Sequence, residues 1–221
     1  MVALLGALSL VIASSGAVVI DSFNTADVGR FPSGWKSRGR GTEDRYRVAV
    51  EDGNAYLAAD AVAAAGQIGL SSLDSRPGGR LSWRWRLWQA PEGGDERNAA
   101  TNDSGAAVYV VFPGFLGVPR AIKYTWSASL VPGQSFASPR SSLTRVVVLR
   151  GPEAPRGVWL DESVDVAADF ARLFAAEAPA ALGVALQSDA NDTASRARAD
   201  YDDLILQPAV VLVGDSAGAA R

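Results

Sequence analysis

Hydrophobic and polar residues alternate along most of the chain with a period of two, and turn-forming residues interrupt this pattern about every ten residues. Alternation of this kind is typical of β-strands buried on one face. The pattern predicts strands over residues 46–50, 56–57, 67–73, 81–89, 106–112, 121–127, 144–150, 182–187 and 201–206. A 3.6-residue period appears at 166–176, where Asp165 is the predicted N-cap of a short helix. About ten strands and one helix predict an all-β fold, an antiparallel, jelly-roll-like β-sandwich.

The segment 81–88 (LSWRWRLW) has the sharpest alternation. Side chains on a strand point to opposite faces in turn, so this segment divides into two sets. One set is Leu81, Trp83, Trp85 and Leu87, and the other is Ser82, Arg84, Arg86 and Trp88. The first set predicts core, because two indoles and two leucines are too much apolar surface to leave in water.

The second set carries cations that need partners or a ligand. If strand 81–89 shares a sheet with strand 121–127, then Arg84, Arg86 and Lys123 form one row. Such a row suits an anionic or hydroxyl-rich glycan, and Trp88 or Tyr109 is available to stack on a sugar ring. The alternative is a solvated face whose cations pair with nearby acidic residues.

Acidic residues gather in the segments between strands. Asp95, Asp103 and Asp189 are the candidates for a general acid and base in glycoside chemistry, which uses two carboxyl groups. Grouped Asp and Asn oxygens also suit Ca²⁺, although an EF-hand is excluded at 189–193 because its glycine and terminal glutamate are missing. The alternative is that these residues only form turns.

Composition narrows the chemistry further. The 221 residues include no histidine and no cysteine, which excludes Ser-His-Asp triads, thiol nucleophiles, thiolate metal sites and disulfides. A formal net charge of −3 gives no reason to expect a nucleic-acid partner. With 48% hydrophobic residues, a chain of this length can form one well-packed domain.

Residues 2–17 (VALLGALSLVIASSGA) are uncharged and end in small residues, with Ser15 and Ala17 at the spacing of a signal-peptidase site. We therefore predict a signal peptide at 1–17, a β-sandwich domain at 18–207, a C-terminal tail at 208–221, and a periplasmic or secreted location. The alternative is that the leader is a buried first strand or helix. Beyond Ala17, no stretch is long and apolar enough to cross a membrane.

Five motifs occur in an order that resembles the bacterial domain-of-unknown-function family 3047. They are FPSGW (31–35), LSWRW (81–85), NDSGAAVYVVF (102–112), IKYTWS (122–127) and DANDT (189–193). The resemblance covers residues 20–206 and implies an exported single-domain protein, with no assigned activity.

A shorter likeness is to the jelly-roll carbohydrate-binding modules, through IDSF at 20–23 and YDDLIL at 201–206. This likeness implies that the terminal strands pair and that Asp21 and Asp203 help to hold a structural Ca²⁺.

The leading hypothesis is a non-catalytic binder of a glycan or another envelope ligand. The alternatives are a carboxylate-dependent hydrolase or lyase acting on polysaccharides, and a structural envelope protein without a small ligand. A pocket that joins Asp103, Asp189 and Arg84 favours the enzyme, whereas a flat face with Trp88 exposed favours binding.

Overall fold

A computed structural model describes residues 11–13, 16–24, 27–70, 79–207 and 211–213. The strands in this part of the chain are β1 (Val11–Ala13), β2 (Val18–Asp21), β3 (Lys36–Arg38), β4 (Tyr46–Glu51), β5 (Asn54–Val62), β6 (Ala65–Leu70), β7 (Arg80–Gln89), β8 (Ala106–Phe112), β9 (Arg120–Trp126), β10 (Ser135–Ser138), β11 (Ser141–Arg150), β12 (Leu160–Asp165), β13 (Gly183–Asp189), β14 (Arg196–Gln207) and β15 (Val211–Val213). The helix α1 is Val166–Phe174, and short 3₁₀ turns span Glu43–Arg45 and Phe115–Gly117.

Two sheets form the sandwich. The seven-stranded sheet has the order β10-β11-β9-β8-β13-β6-β3, and the six-stranded sheet has the order β12-β7-β14-β5-β4, with β2 also paired to β14. The pairing of β2 with β14 places Asp21 opposite Leu204, so the terminal strands pair as predicted. The all-β, jelly-roll-like sandwich with one short helix is confirmed.

The core lies between the sheets and is rich in aromatic side chains. Trp83 and Trp85 of β7 are 2% and 0% exposed, which confirms the predicted inner face. Their rings lie 5.9 Å from Tyr124 and 5.7 Å from Trp126 of β9, respectively, centroid to centroid. These contacts join the two sheets directly. Tilted aromatic pairs stabilise a fold by more than the apolar area that they bury.

A turn, a helix cap and an aromatic contact fix the positions of several elements. Asp52 and Gly53 have φ of +51° and +80°, so a two-residue turn with both central residues left-handed connects β4 and β5, as an Asp-Gly pair predicts. Asp165 caps α1 by accepting a 2.9 Å hydrogen bond from the amide of Ala168. Phe170 anchors the helix on Phe112 of β8, with ring centroids 4.6 Å apart.

One pairing departs from an entirely antiparallel sandwich. β11 pairs with β9 in parallel, because the chain leaves β9, forms β10 and returns by way of the β10–β11 hairpin. A separate ladder pairs β1 with β15, within the segments predicted as leader and tail. Ser15, positions 71–73 of a predicted strand and most of the predicted tail lie outside the described residues. Within the described part, no helix combines the length and apolar character needed to cross a bilayer.

Candidate functional site

The predicted row of Arg84, Arg86 and Lys123 is wrong, because the strands that carry these residues lie in different sheets. β7 carries the two arginines in the six-stranded sheet, whereas β9 carries Lys123 in the seven-stranded sheet. Both polar sets point away from the core, so they occupy opposite outer sides of the sandwich. The structure therefore divides the predicted row between two polar surfaces, one on each sheet.

The first site is the arginine–tryptophan face, which we define by Tyr56, Arg84, Arg86, Trp88 and Trp159 on the outer side of the six-stranded sheet. The guanidinium carbon of Arg86 lies 4.5 Å from the ring centroid of Trp88, 4.6 Å from that of Trp159 and 5.3 Å from that of Tyr56. Three aromatic rings thus cover one cation, which leaves Arg86 only 4% exposed.

Carboxylates neutralise both arginines of this face. Arg86 contacts Glu51 at 2.6 Å and Asp200 at 2.8 Å, and Arg84 contacts Asp202 at 2.6 Å and Asp203 at 3.0 Å. Neither guanidinium is available as a free anion receptor. The alternative of a solvated face with paired cations is correct about the pairing, but Arg86 is buried under aromatic rings rather than solvated.

Trp88 is the exposed edge of the face, with 37% of its surface accessible. Its indole nitrogen donates a 2.6 Å hydrogen bond to Asp200 Oδ2, which holds the ring in one orientation. Burial raises the pKa of the Asp200 carboxyl above its ordinary value, although Trp88 and Arg86 oppose that effect. The guanidinium carbons of Arg86 and Arg198 lie 4.5 and 5.2 Å from the Trp88 ring centroid, so cations cover part of this fixed, partly exposed ring.

Beside Trp88 lies a polar cavity of about 290 Å³, which we call the arginine cavity. Its lining includes four arginines and three aspartates over a floor of alanines, namely Arg45, Arg47, Arg196, Arg198, Asp44, Asp60, Asp200, Ala49, Ala58 and Ala59, together with Tyr56. Asp60 is occupied by Arg196 at 2.6 Å, and Asp200 is occupied by Arg86. Within the described residues, neither Arg47 nor Arg198 has a carboxylate oxygen within 4.0 Å.

The arginine cavity is absent from the predicted site residues, yet the sequence carries a signal for it. Arg47 alternates with the buried Tyr46 and Val48 of β4, and Arg196 and Arg198 alternate with the buried Ala197 and Ala199 of β14. Period-two alternation therefore places all three arginines on the outer side of the sheet. What the sequence does not show is that β4 and β14 lie on either side of β5.

The second site is the lysine–carboxylate cluster, which we define by Glu96, Asp103, Tyr109, Lys123 and Asp189 on the seven-stranded sheet. Lys123 is 3% exposed, and its ammonium lies 5.8 Å from the ring centroid of Tyr109. Burial acts to lower the pKa of Lys123, but Tyr109, Glu96 and Asp189 outweigh burial and raise it. Tyr109 donates a 2.6 Å hydrogen bond to Gln187, whose amide in turn donates to Asp189 at 3.0 Å.

The predicted acid–base trio does not assemble. Asp95 turns outward and binds Arg97 at 2.7 Å, and its neighbour Glu96 points inward instead. Glu96 is 0% exposed and accepts hydrogen bonds from Ser104, Thr125 and Ser127. The sequence gives no sign of which of two adjacent acidic residues turns inward, because the path of the loop decides it.

Asp103 and Asp189 do come together, without Arg84. Asp103 accepts hydrogen bonds from the Asp192 amide and from the Thr193 amide and hydroxyl, and thereby holds the β13–β14 loop. Burial raises the pKa of Asp189 to about 7, with Lys123 opposing the shift and Asp103 adding to it. Since Asp103 and Asp189 are 0% and 7% exposed, the pair has little surface to offer to a substrate.

The predicted Ca²⁺ ligands already have protein partners. Asp21 accepts 2.7 Å hydrogen bonds from the Phe23 amide and the Trp35 indole, and Asp203 lies against Arg84. Asp203 also lines a cavity of about 530 Å³ with Asp161 and Glu162. Among the described residues, no three acidic side chains lie close enough together to hold a metal ion.

The chain is similar to three solved carbohydrate-binding modules. The family 11 module of the cellulosomal cellulase Lic26A-Cel5E of Clostridium thermocellum shares 10% identity at a TM-score of 0.47, covering 89% of this chain and 97% of that chain. CBM28, described as specific for non-crystalline cellulose, shares 14% identity at 0.47, with the same two coverages. TmCBM61, solved with β-1,4-galactotriose, shares 11% identity at 0.37, covering 82% and 92%. TM-scores below 0.5 are too low to assign a ligand to this chain.

No curated protein matches this chain. A family model does: that of DUF3047, described as a protein of unknown function, matches residues 33–205. This span runs from just before β3 to near the end of β14, so it takes in the arginine–tryptophan face, the arginine cavity and the lysine–carboxylate cluster. The chain belongs to the DUF3047 family.

Proposed function

We propose that this protein binds an acidic glycan, without catalysis, in the arginine cavity and on the adjoining edge of Trp88. The observation that carries the proposal is that Arg47 and Arg198 face the cavity with no carboxylate within 4.0 Å in the described part of the chain. A guanidinium binds a carboxylate through two parallel hydrogen bonds, which suits uronic acids and other acidic sugars.

The shape of the cavity supports a sugar rather than a small inorganic anion. Its volume of about 290 Å³ exceeds that of one ion, and its alanine floor allows a ring to approach the sheet. Arg198 also reaches the rim, where its guanidinium carbon lies 5.2 Å from the Trp88 ring centroid. One sugar in the cavity and a second against Trp88 would use both the charged and the aromatic part of this surface.

The location that we propose is the cell envelope or the medium, where polymers of acidic sugars occur. The uncharged leader at 2–17 supports export. The enzyme alternative has less support, because the Asp95 carboxylate is paired with Arg97, and Asp103 and Asp189 are buried. Non-catalytic binding in the arginine cavity, with Trp88 at its rim, agrees better with this geometry.

The test is a titration of the exported domain with acidic and neutral oligosaccharides of equal length, oligogalacturonate and cello-oligosaccharide, followed by calorimetry. We expect oligogalacturonate to bind and binding to weaken with salt, because exposed charge pairs are screened. Arg47→Ala and Arg198→Ala should each weaken binding roughly tenfold or more. Arg172→Ala is the matched control, since Arg172 is an exposed arginine on α1 that binds Asp169.

Two results would overturn the proposal. One is that no acidic oligosaccharide binds the wild type at low salt. The other is that the Arg47→Ala/Arg198→Ala double variant, shown to be folded by its melting curve, binds as tightly as the wild type. If the neutral oligosaccharide binds equally well, Trp88 rather than the arginines recognises the sugar. The Trp88→Ala variant should then no longer bind either oligosaccharide.

A further inference from the structure

The loop between β8 and β9 exposes large apolar side chains to an unusual degree. This apolar loop, residues 113–119 (PGFLGVP), has no charged or hydrogen-bonding side chain. Phe115 is 80% exposed, Leu116 85% and Val118 52%, and the neighbouring Leu182 is 46% exposed. Single exposed apolar residues are ordinary. A cluster of them at a loop tip indicates a surface that contacts a membrane or another molecule.

The exposure is built into the loop rather than being the result of looseness. A Cβ atom at Gly114 would lie 1.9 Å from the carbonyl oxygen of Val118, so the chain passes too close to itself for any other residue. Leu116 has φ of +52°, a left-handed conformation that a leucine rarely adopts. A conformation held against local preference is common at functional sites.

Two backbone hydrogen bonds close the loop tip on itself. The Gly117 amide donates to the Gly114 carbonyl at 3.3 Å, and the Val118 amide donates to the Phe115 carbonyl at 3.1 Å. Unsatisfied backbone groups prevent most loops from entering a medium of low polarity. This loop tip forms a closed turn with apolar side chains, which removes much of that cost.

Two cations lie across a groove from the apolar tip. A groove of about 410 Å³ on the outer side of the seven-stranded sheet has Gly117, Pro119 and Leu182 on one side, and Lys36 and Arg38 on the other. Within the described residues, the lining of this groove has no acidic side chain. Arg120 follows the loop directly, but it lies opposite the core residue Phe112 and its guanidinium carbon is 5.4 Å from the Phe174 ring centroid, so it is not part of this groove.

We propose that this protein docks on an anionic lipid surface, with Phe115 and Leu116 inserted among the acyl chains and with Lys36 and Arg38 against the headgroups. An apolar tip with basic residues across the adjoining groove is complementary to such a surface, because the headgroups carry negative charge above a hydrocarbon layer. A stable protein interface needs about 800 Å² from each partner, which is more than a tip of three apolar side chains supplies. The proposal does not depend on glycan binding, since the apolar loop and the arginine cavity lie on different sheets.

The experiment is co-sedimentation of the protein with vesicles of phosphatidylcholine alone or with about one third phosphatidylglycerol, the range in which anionic surfaces attract basic groups. We expect the wild type to sediment with the anionic vesicles and to be released by salt. Phe115→Ser/Leu116→Ser should weaken binding at least about tenfold, because two inserted apolar side chains are lost. Lys36→Glu/Arg38→Glu should remove the preference for anionic vesicles.

Val62→Ser/Val131→Ser is the matched control, because these valines are 62% and 54% exposed and lie away from the loop. It should bind as the wild type does. Melting curves establish that each variant is folded. No sedimentation of the wild type with anionic vesicles would overturn the proposal, as would equal binding by Phe115→Ser/Leu116→Ser. Self-association in the absence of vesicles that this same variant abolishes would also overturn it, in favour of a second copy of the chain.

Discussion

Arg86 and Asp200 form a buried ion pair in which two guanidinium nitrogens, Nε and Nη2, lie 2.9 and 2.8 Å from the same carboxylate oxygen, Oδ2. The same oxygen accepts the indole N–H of Trp88 at 2.6 Å. One carboxylate oxygen of β14 therefore orients both the buried cation and the exposed aromatic ring of β7. This relationship links the stability of the six-stranded sheet to the shape of the proposed binding surface.

Arg86→Ala should lower the free energy of unfolding by about 3–5 kcal/mol, because it leaves Asp200 buried without its counter-charge. Chemical denaturation measures this loss. Arg47→Ala is the control and should cost no more than about 0.5 kcal/mol, since Arg47 is exposed. Asp200→Ala/Arg86→Ala should cost less than the sum of the two single changes. Additive losses would mean that the pair contributes little.

Trp85→Ala should cost a similar amount, about 3–5 kcal/mol, but by leaving a cavity in the core. The alternation pattern alone predicts that Trp85→Ala is far more costly than Arg86→Ala. In the structure the two substitutions should cost similar free energies of unfolding, because Arg86 is covered by aromatic rings on the outer side of the sheet. A loss below about 1 kcal/mol for Trp85→Ala in chemical denaturation would contradict the packing of Trp85 against Trp126.

Stability should fall as the pH rises from about 4 to about 7. The pKa of Asp189 is about 7 in the folded protein and near 3.8 for an unperturbed carboxyl, so between these values only the folded state retains the proton. The effect is fully present above pH 7 and amounts to at most about 4 kcal/mol. Melting temperatures across this range measure it.

Asp189→Asn should flatten this pH dependence, whereas Asp44→Asn, which changes an exposed carboxyl, should preserve it. A wild type whose stability instead rises over the same interval would show that Asp189 is charged in the folded state, held by Lys123.

Asp21→Asn should cost about 1–3 kcal/mol by weakening the hydrogen bonds to Trp35 and Phe23. We expect the same loss of melting temperature in Ca²⁺ and in EGTA, because Asp21 binds protein groups. The calcium hypothesis makes the opposite prediction, in which EGTA lowers the melting temperature of the wild type but not that of Asp203→Ala. Parallel melts in both buffers separate the two.

Export should remove the leader. The full chain, expressed in a bacterial host, should be recovered outside the cytoplasm. Its mass should be that of a chain whose first residue is Val18. Ala17→Asp should block cleavage, because the cleavage site requires a small residue there. If the whole chain stays in the cytoplasm with an intact N-terminus, the alternative of a structural first strand applies, and β1 stays paired with β15.

The alternation of 81–88 was enough to assign both faces of β7, because strand geometry depends only on neighbours in sequence. The sheet partners of β7 were beyond the sequence pattern, since β14 and β12 lie far along the chain. For this reason the prediction that Lys123 lies in one row with Arg84 and Arg86 is wrong. Trp159 was missed because it enters the site from a loop rather than from a periodic segment, and β12 was missed because acidic residues interrupt its short apolar pattern.

β14 lies at the centre of the six-stranded sheet, where it pairs with β7 on one side and β5 on the other, and also with β2 near the start of the chain. A nascent chain that lacks residues 196–207 therefore has no strand to join the two halves of that sheet. The six-stranded sheet cannot form until residues 196–207 have been synthesised, and pairing of such distant strands is intrinsically slow. A chain without that strand cannot complete the six-stranded sheet, and if the leader directs export as we propose, this delay keeps the chain in a form that an export channel can admit.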